Sequence, residues 1–194
     1  MSRWFFWILC VCTVLAAVAA CRPRVWPAGS TAAPFQPGRY VTESYFSPDF
    51  QPQQTAFTLA AFPVTRADNV SADAFEKIFQ EELLLAWQEQ GLKPAAGRDA
   101  ARVSGTIHRV SVRGARLRWL TGQLHATLVV SGEITRGSQV LFAFRDQVFL
   151  SSPVAPGRAA PQEKDLLLRH LARETVHHLL NELLLHGPLT ADSG

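Results

Sequence analysis

Cysteine is scarce and confined. The chain has three, Cys10, Cys12 and Cys21, and none follows. Everything after Cys21 is therefore excluded from disulfide, thiolate-metal and cysteine-nucleophile chemistry. Lysine is equally sparse, found only at Lys77, Lys93 and Lys164, and the formal net charge is +3. Without a basic run interleaved with stacking aromatics, the composition gives no ground for a nucleic-acid partner. The sequence also lacks GxSxG, a phosphate loop and HExxH, and Asp99, Glu133 and Asp146 show no paired spacing. It reads as a non-enzymatic chain with no cofactor, and it has no internal repeat.

What is present begins with an apolar stretch. Residues 4–20, WFFWILCVCTVLAAVAA, follow a single charge at Arg3. A short basic start, an apolar middle and a small-residue end form the layout of a secretory signal. A single-span anchor competes with that reading, because the run lies near the lower length limit for crossing a bilayer. For the rest, 194 residues at 47% hydrophobic and 18% charged fit one globular domain with extra segments.

The stretch Val18-Ala19-Ala20-Cys21 resembles the lipobox of bacterial lipoproteins, with valine where leucine is more usual. The resemblance implies a diacylglycerol on the Cys21 thiol, cleavage just before it, and acylation of the new amino terminus with a palmitate-type chain. Residues 1–20 would then be a lipoprotein signal peptide, removed together with Cys10 and Cys12. Arg22 follows in place of an acidic residue, and the resemblance therefore implies the outer membrane, on its periplasmic side, with the inner membrane as the other location.

Residues 21–54 carry Pro23, Pro27, Pro34, Pro37, Pro48 and Pro52. Fixed φ angles and missing amide donors make this a proline-rich tether or arm. Within it, Tyr40, Tyr45, Phe46 and Phe50 are too aromatic for a pure linker and are expected on the domain or on a partner. Residues 55–187 form the folded domain, and 188–194 a tail. Phe57, Leu59 and Ala61 alternate in a first strand ending near Pro63. Ser71 is placed to cap a helix carrying Phe75, Ile78, Phe79, Leu83, Ala86 and Trp87 at helical spacing, with Gly91 as its stop. Glu82 intrudes on that stripe and Leu84 points away from it.

Three strands follow. In 102–113 the alternation shifts phase between Ile107 and Val110, which predicts a bulge near His108 and Arg109. Leu124, Ala126, Leu128, Val130 and Ile134 share one face of the next strand. Val140, Phe142, Phe144, Val148 and Leu150 share one face of the last, after a turn at Arg136-Gly137-Ser138. A final helix starts at Pro161, buries Leu168, Ala172, Val176, Leu179, Leu180 and Leu183, and ends at Gly187-Pro188. The expected architecture is α+β: a four-stranded, mainly antiparallel sheet with two helices packed on one face, in the order β-α-β-β-β-α.

Two clusters invite a functional reading. The connection RGARLRWLTGQ places Arg113, Arg116 and Arg118 around Trp119, a combination suited to phosphate and to an apolar–polar boundary. It is a candidate contact for a protein partner, lipid headgroups or a glycolipid; the competing reading is a hairpin whose tryptophan folds back on the sheet edge. On the last helix, His170, Glu174 and His177 fall at i, i+4 and i+7 and are weak metal candidates. An ordinary solvated helix face explains their spacing equally well, and no metal is assigned.

Lipobox, tether and β-α-β-β-β-α order together resemble the lipopolysaccharide-assembly lipoprotein family, over roughly residues 55–187 and by element order. One departure is that Arg22-Pro23 follow the cysteine, where that family often has glycine and an aromatic residue. The resemblance implies a membrane-tethered accessory in outer-membrane assembly or in lipid or lipopolysaccharide transport, held to the membrane through Cys21 and working with a protein partner in an envelope complex. The alternative is a stand-alone periplasmic module for a small molecule or cell-wall fragment. Ligand binding by the isolated domain would distinguish it from an accessory that needs a membrane complex. Hydrolytic activity ranks third.

Overall fold

The computed structural model describes residues 34–92, 100–114, 123–153 and 160–185. Its strands are β1 (Gln36–Pro37), β2 (Glu43–Phe46), β3 (Phe57–Leu59), β4 (Ala67–Asp68), β5 (Ala101–Arg113), β6 (Gln123–Arg136) and β7 (Gln139–Pro153). Its helices are α1 (Ala72–Glu89) and α2 (Ala160–Leu185), with a 3-10 turn at Pro52–Gln54. The long strands β5, β6 and β7 form an antiparallel meander. The sheet order is β1-β2-β7-β6-β5-β3, with β4 also on β5.

The α+β class and the two helices on the sheet agree with the sequence, but the sheet is wider than the four strands expected. Among the described residues it has seven strands and is mixed, because β3 and β4 run parallel to β5. A parallel pair needs a crossover, and α1 supplies it between β3 and β5. The strands that escaped notice are short. β1 contains Pro37, which the fold tolerates because β1 is an edge, and β2 shows no clean period-two pattern. Both arise within 21–54, the stretch read as an arm. Phe46 tilts against Phe142 at 4.6 Å between ring centres, and Phe50 is buried, so these aromatics lie on the domain.

Local chemistry explains the longer elements. The Ser71 hydroxyl accepts from the Ala74 amide at the start of α1, and Asp73 lies in the first turn near the positive end of the helix dipole. Gly91 leaves the helix with φ +66°. The expected bulge is present, with the β5–β6 register shifting between Ile107 and Arg109. It moves the buried set from Val103 and Ile107 to Val110 and Val112, keeping one face of β5 in the core. Against that face lie Phe75, Phe79, Leu83 and Trp87 of α1 and Leu168, Leu171, Val176, Leu179 and Leu183 of α2. Phe57 meets Trp87 edge-on at 5.2 Å.

Glu82, the apparent intruder on the α1 stripe, joins the two helices. Its carboxylate accepts from Arg173 Nε at 2.9 Å, with Arg169 Nη1 at 3.7 Å. In the middle of the sheet Gly105 pairs with Gly132, and two phenyl rings occupy the space their side chains would fill. A Cβ on Gly132 would stand 2.5 Å from Phe144 Cε1, and one on Gly105 would stand against the Phe62 ring and 2.5 Å from the Ser131 carbonyl oxygen. Gly105→Ala is therefore expected to lower the unfolding free energy by about 1–3 kcal/mol. Urea melts of the two proteins measure this, and an unchanged midpoint would show that the rings move aside freely.

Candidate functional site

The most developed polar site lies where α2 crosses β7 and β2. Asp146 is on the same face of β7 as Phe144 and Val148, and is only 3% exposed. A carboxylate in such a position needs donors, and four converge on it. The Thr42 amide and Thr42 Oγ1 donate to Oδ1 at 3.1 Å each, and the Gln147 amide donates at 2.8 Å. On the other oxygen, His178 Nδ1 stands at 2.9 Å. One helical turn further, Glu182 is fully buried and accepts from the Arg39 amide at 2.9 Å, the Tyr40 amide at 2.7 Å and Ser44 Oγ at 2.7 Å.

Consecutive amides aimed at one carboxylate make a small anion nest. Gly38 lets the chain come this near, since a Cβ there would lie 3.0 Å from Glu182 Oε1 and 2.7 Å from the Val41 carbonyl oxygen. Val41 itself is buried. Residues 38–46 are thereby fastened to α2 and β7 by side chains as well as by the β2 ladder. Beside them, Arg145 pairs with Glu43 at 3.4 Å and its guanidinium lies 4.2 Å from the centre of the Phe35 ring.

His178 is bracketed by two carboxylates, because Nε2 stands 3.4 Å from Glu174 Oε1. The hydrogen bond to Asp146 raises its pKa above the ordinary histidine value; burial opposes this, and the charges of Asp146 and Glu174 add to it. With a carboxylate on each ring nitrogen, the imidazolium is a clamp between α2 and β7.

On the opposite face of the sheet, His108 Nε2 lies 2.7 Å from Ser131 Oγ at the bulge. Burial, with the Arg145 charge second, pushes this imidazole down toward its neutral form. At the far edge Asp68 is held below the usual carboxylate range by hydrogen bonds from Arg66 and Arg109.

The residues singled out from sequence are distributed differently. Val18, Ala19, Ala20 and Cys21, and likewise Arg116, Arg118 and Trp119, lie outside the described residues. Arg113 ends β5, exposed, opposite His125 of β6. His170, Glu174 and His177 are all exposed on α2, and Glu174 is engaged with His178. Among the described residues no three His, Cys, Asp or Glu side chains are placed to hold a metal ion. Among them, too, no helix is long and apolar enough to cross a membrane.

Sequence reasoning passed over His178, Glu182 and the pairing of Asp146. A signal was available: Asp146 and Glu182 interrupt otherwise apolar stripes of β7 and α2. Their partners in 39–44 could not be read from spacing.

No family profile and no curated protein matches the sequence. Solved structures do. A minor lipoprotein from Acinetobacter baumannii is 13% identical, with a TM-score of 0.44 over 66% of this chain and 95% of its own. Rare lipoprotein B from Shewanella oneidensis is 12% identical, with a TM-score of 0.41 over 63% and 96%. A protein from Xanthomonas campestris is 11% identical, with a TM-score of 0.45 over 72% and 90%. The chain is similar in structure to bacterial lipoproteins at low identity.

Two outcomes test the clamp. Glu182→Gln presents an amide where three donors need an acceptor, and is expected to cost about 2–3 kcal/mol in urea melts, with faster hydrogen exchange at the Arg39 and Tyr40 amides. For His178 the folded-state pKa is raised, so its contribution is complete below the unfolded value of about 6.5 and disappears as pH rises through the folded value. The difference in Tm between wild type and His178→Gln should be largest near about pH 5.5 and narrow on the alkaline side. A difference that grows with pH would reverse the assignment.

Proposed function

We propose that the mature protein is a lipid-anchored lipoprotein of the bacterial outer membrane, facing the periplasm, and a non-enzymatic accessory in outer-membrane assembly or in lipid or lipopolysaccharide transport. The observation that carries this reading is Val18-Ala19-Ala20-Cys21 at the end of an apolar run, with a proline-rich stretch after it. The clamp gives the stretch a mechanical sense. The buried carboxylates fasten residues 39–44 to β7 and α2 by side chains, so that this part of the chain is held by more than an edge-strand ladder. Acyl chains on one residue hold a protein to a bilayer in proportion to the methylenes they bury. Partner or glycolipid contact is assigned to Arg113, Arg116, Arg118 and Trp119, whose guanidinium and indole groups suit a phosphate-bearing, half-apolar surface.

Mass spectrometry of the protein from membranes is expected to find Cys21 as first residue, carrying acyl mass, and Cys21→Ala should abolish both. Wild-type protein retaining residues 1–20 would refute the anchor. In-cell crosslinking should capture an envelope partner, and Arg116→Ala with Trp119→Ala should reduce that capture without lowering Tm. Full capture by the double variant would move the contact elsewhere.

A further inference from the structure

Sheet edges in soluble proteins are covered, shortened or charged, because an open ladder of amides and carbonyls pairs with any strand that reaches it. Among the described residues most edges follow that rule, and the terminal strands β3 and β4 are only three and two residues long. The outer side of β5 is covered by β3, by β4 and by the bridge from Val64 to Ile107. At the other end β1 is two residues long and contains Pro37. The first half of β7 is covered by β2, which pairs with Phe142 to Arg145.

The second half of β7 differs. Beyond Arg145 no strand among the described residues pairs with that side of β7. Its direction follows from the ladder. The Ser47 amide donates to the Leu141 carbonyl, so Leu141, Ala143 and Arg145 turn their backbone groups toward β2. By alternation Gln147, Phe149 and Ser151 turn theirs outward, since the β6–β7 register is unbroken across them. The Gln147 amide is taken by Asp146 Oδ1. Among the described residues, what remains is the carbonyl of Gln147 and the amide and carbonyl of Phe149 and of Ser151. No charge guards them, for residues 147–152 read QVFLSS, and Phe149 is 61% exposed.

We propose that this edge is a self-association site, where β7 of a second copy pairs antiparallel about a twofold axis at Leu150. In that register Phe149 faces Ser151 of the other copy and Ser151 faces Phe149. The amides and carbonyls of both residues in both copies are thus paired, and the already occupied Gln147 amide is not needed. An isologous contact places the same segment against itself. The uncharged stretch 147–152 meets no like charge when it does so, whereas a charged edge would repel its copy. The ladder joins two sheets into one, and the exposed Phe149 ring gains the partner strand as cover. Residues 38–42 and β2 flank the open stretch at one end and Pro153 at the other, which limits the pairing to this short segment.

The test uses the full chain in its membrane. Phe149→Cys with Ser151→Cys, both on exposed positions outside the core, is expected to give an oxidant-dependent species of twice the monomer mass. Arg102→Cys, exposed on β5, should give none. In detergent, wild type should sediment as a dimer and Phe149→Lys as a monomer. A monomeric wild type, crosslinking by Arg102→Cys to the same extent, or capture of a different protein at residue 149 would each overturn the proposal. The mass of the processed Cys21 end is independent of all these readouts, so failure here leaves the anchor reading where it stands.

Discussion

The two buried carboxylates facing the first strands are the constraint on which this arrangement depends. Asp146 and Glu182 are carried on successive elements, and both accept from the short run Arg39 to Ser44, more than a hundred residues earlier. A carboxylate taken out of water without donors is strongly unfavourable. Each of these has at least three, most of them backbone amides or hydroxyls. All three donors to Glu182 and two of the four to Asp146 come from the chain segment threaded beside β7. If that segment leaves, Glu182 loses all three of its donors and Asp146 keeps only the Gln147 amide and His178. Docking of the arm thus reinforces the α2–β7 contact, which His178 and Asp146 also make directly.

The core around this clamp follows more ordinary rules. Antiparallel strands with one covered face, a bulge that restores the buried set, and two amphipathic helices need only alternation and helical spacing. The places where shape takes over are few. Gly105 and Gly132 leave room for the rings of Phe62 and Phe144, and Glu82 with Arg173 ties the helices at their contact. Each looks like a defect in its own element and is a fitted feature in the assembled one.

Much of the fold was legible. The long strands, both helices, the Ser71 cap and the phase shift at His108 are local features, written within windows of a few residues. The short strands were not legible, because two to four residues carry no period. They exist because β5 and β7 offer them a ladder. Of the site, the spacing His170, Glu174 and His177 drew attention to the correct helix and to one residue of the clamp. Spacing along a helix reports which residues share a face, not what faces them, so His178 passed unnoticed although it is the residue Asp146 engages.

By itself the sequence determined the apolar run, the Val18–Cys21 stretch, the α+β class and the meander with its two helices, since these depend on composition and local periodicity. Only the tertiary structure decided the seven-strand width, the docking of residues 38–46 and the open half of β7. The docking depends on pairings across a hundred residues or more, such as Ser44 with Glu182 and Thr42 with Asp146, and the width also on the nearer pairing of Phe57 with Ala101. Contacts of that reach leave no period in the chain, because the distance that matters to them is measured through the folded core.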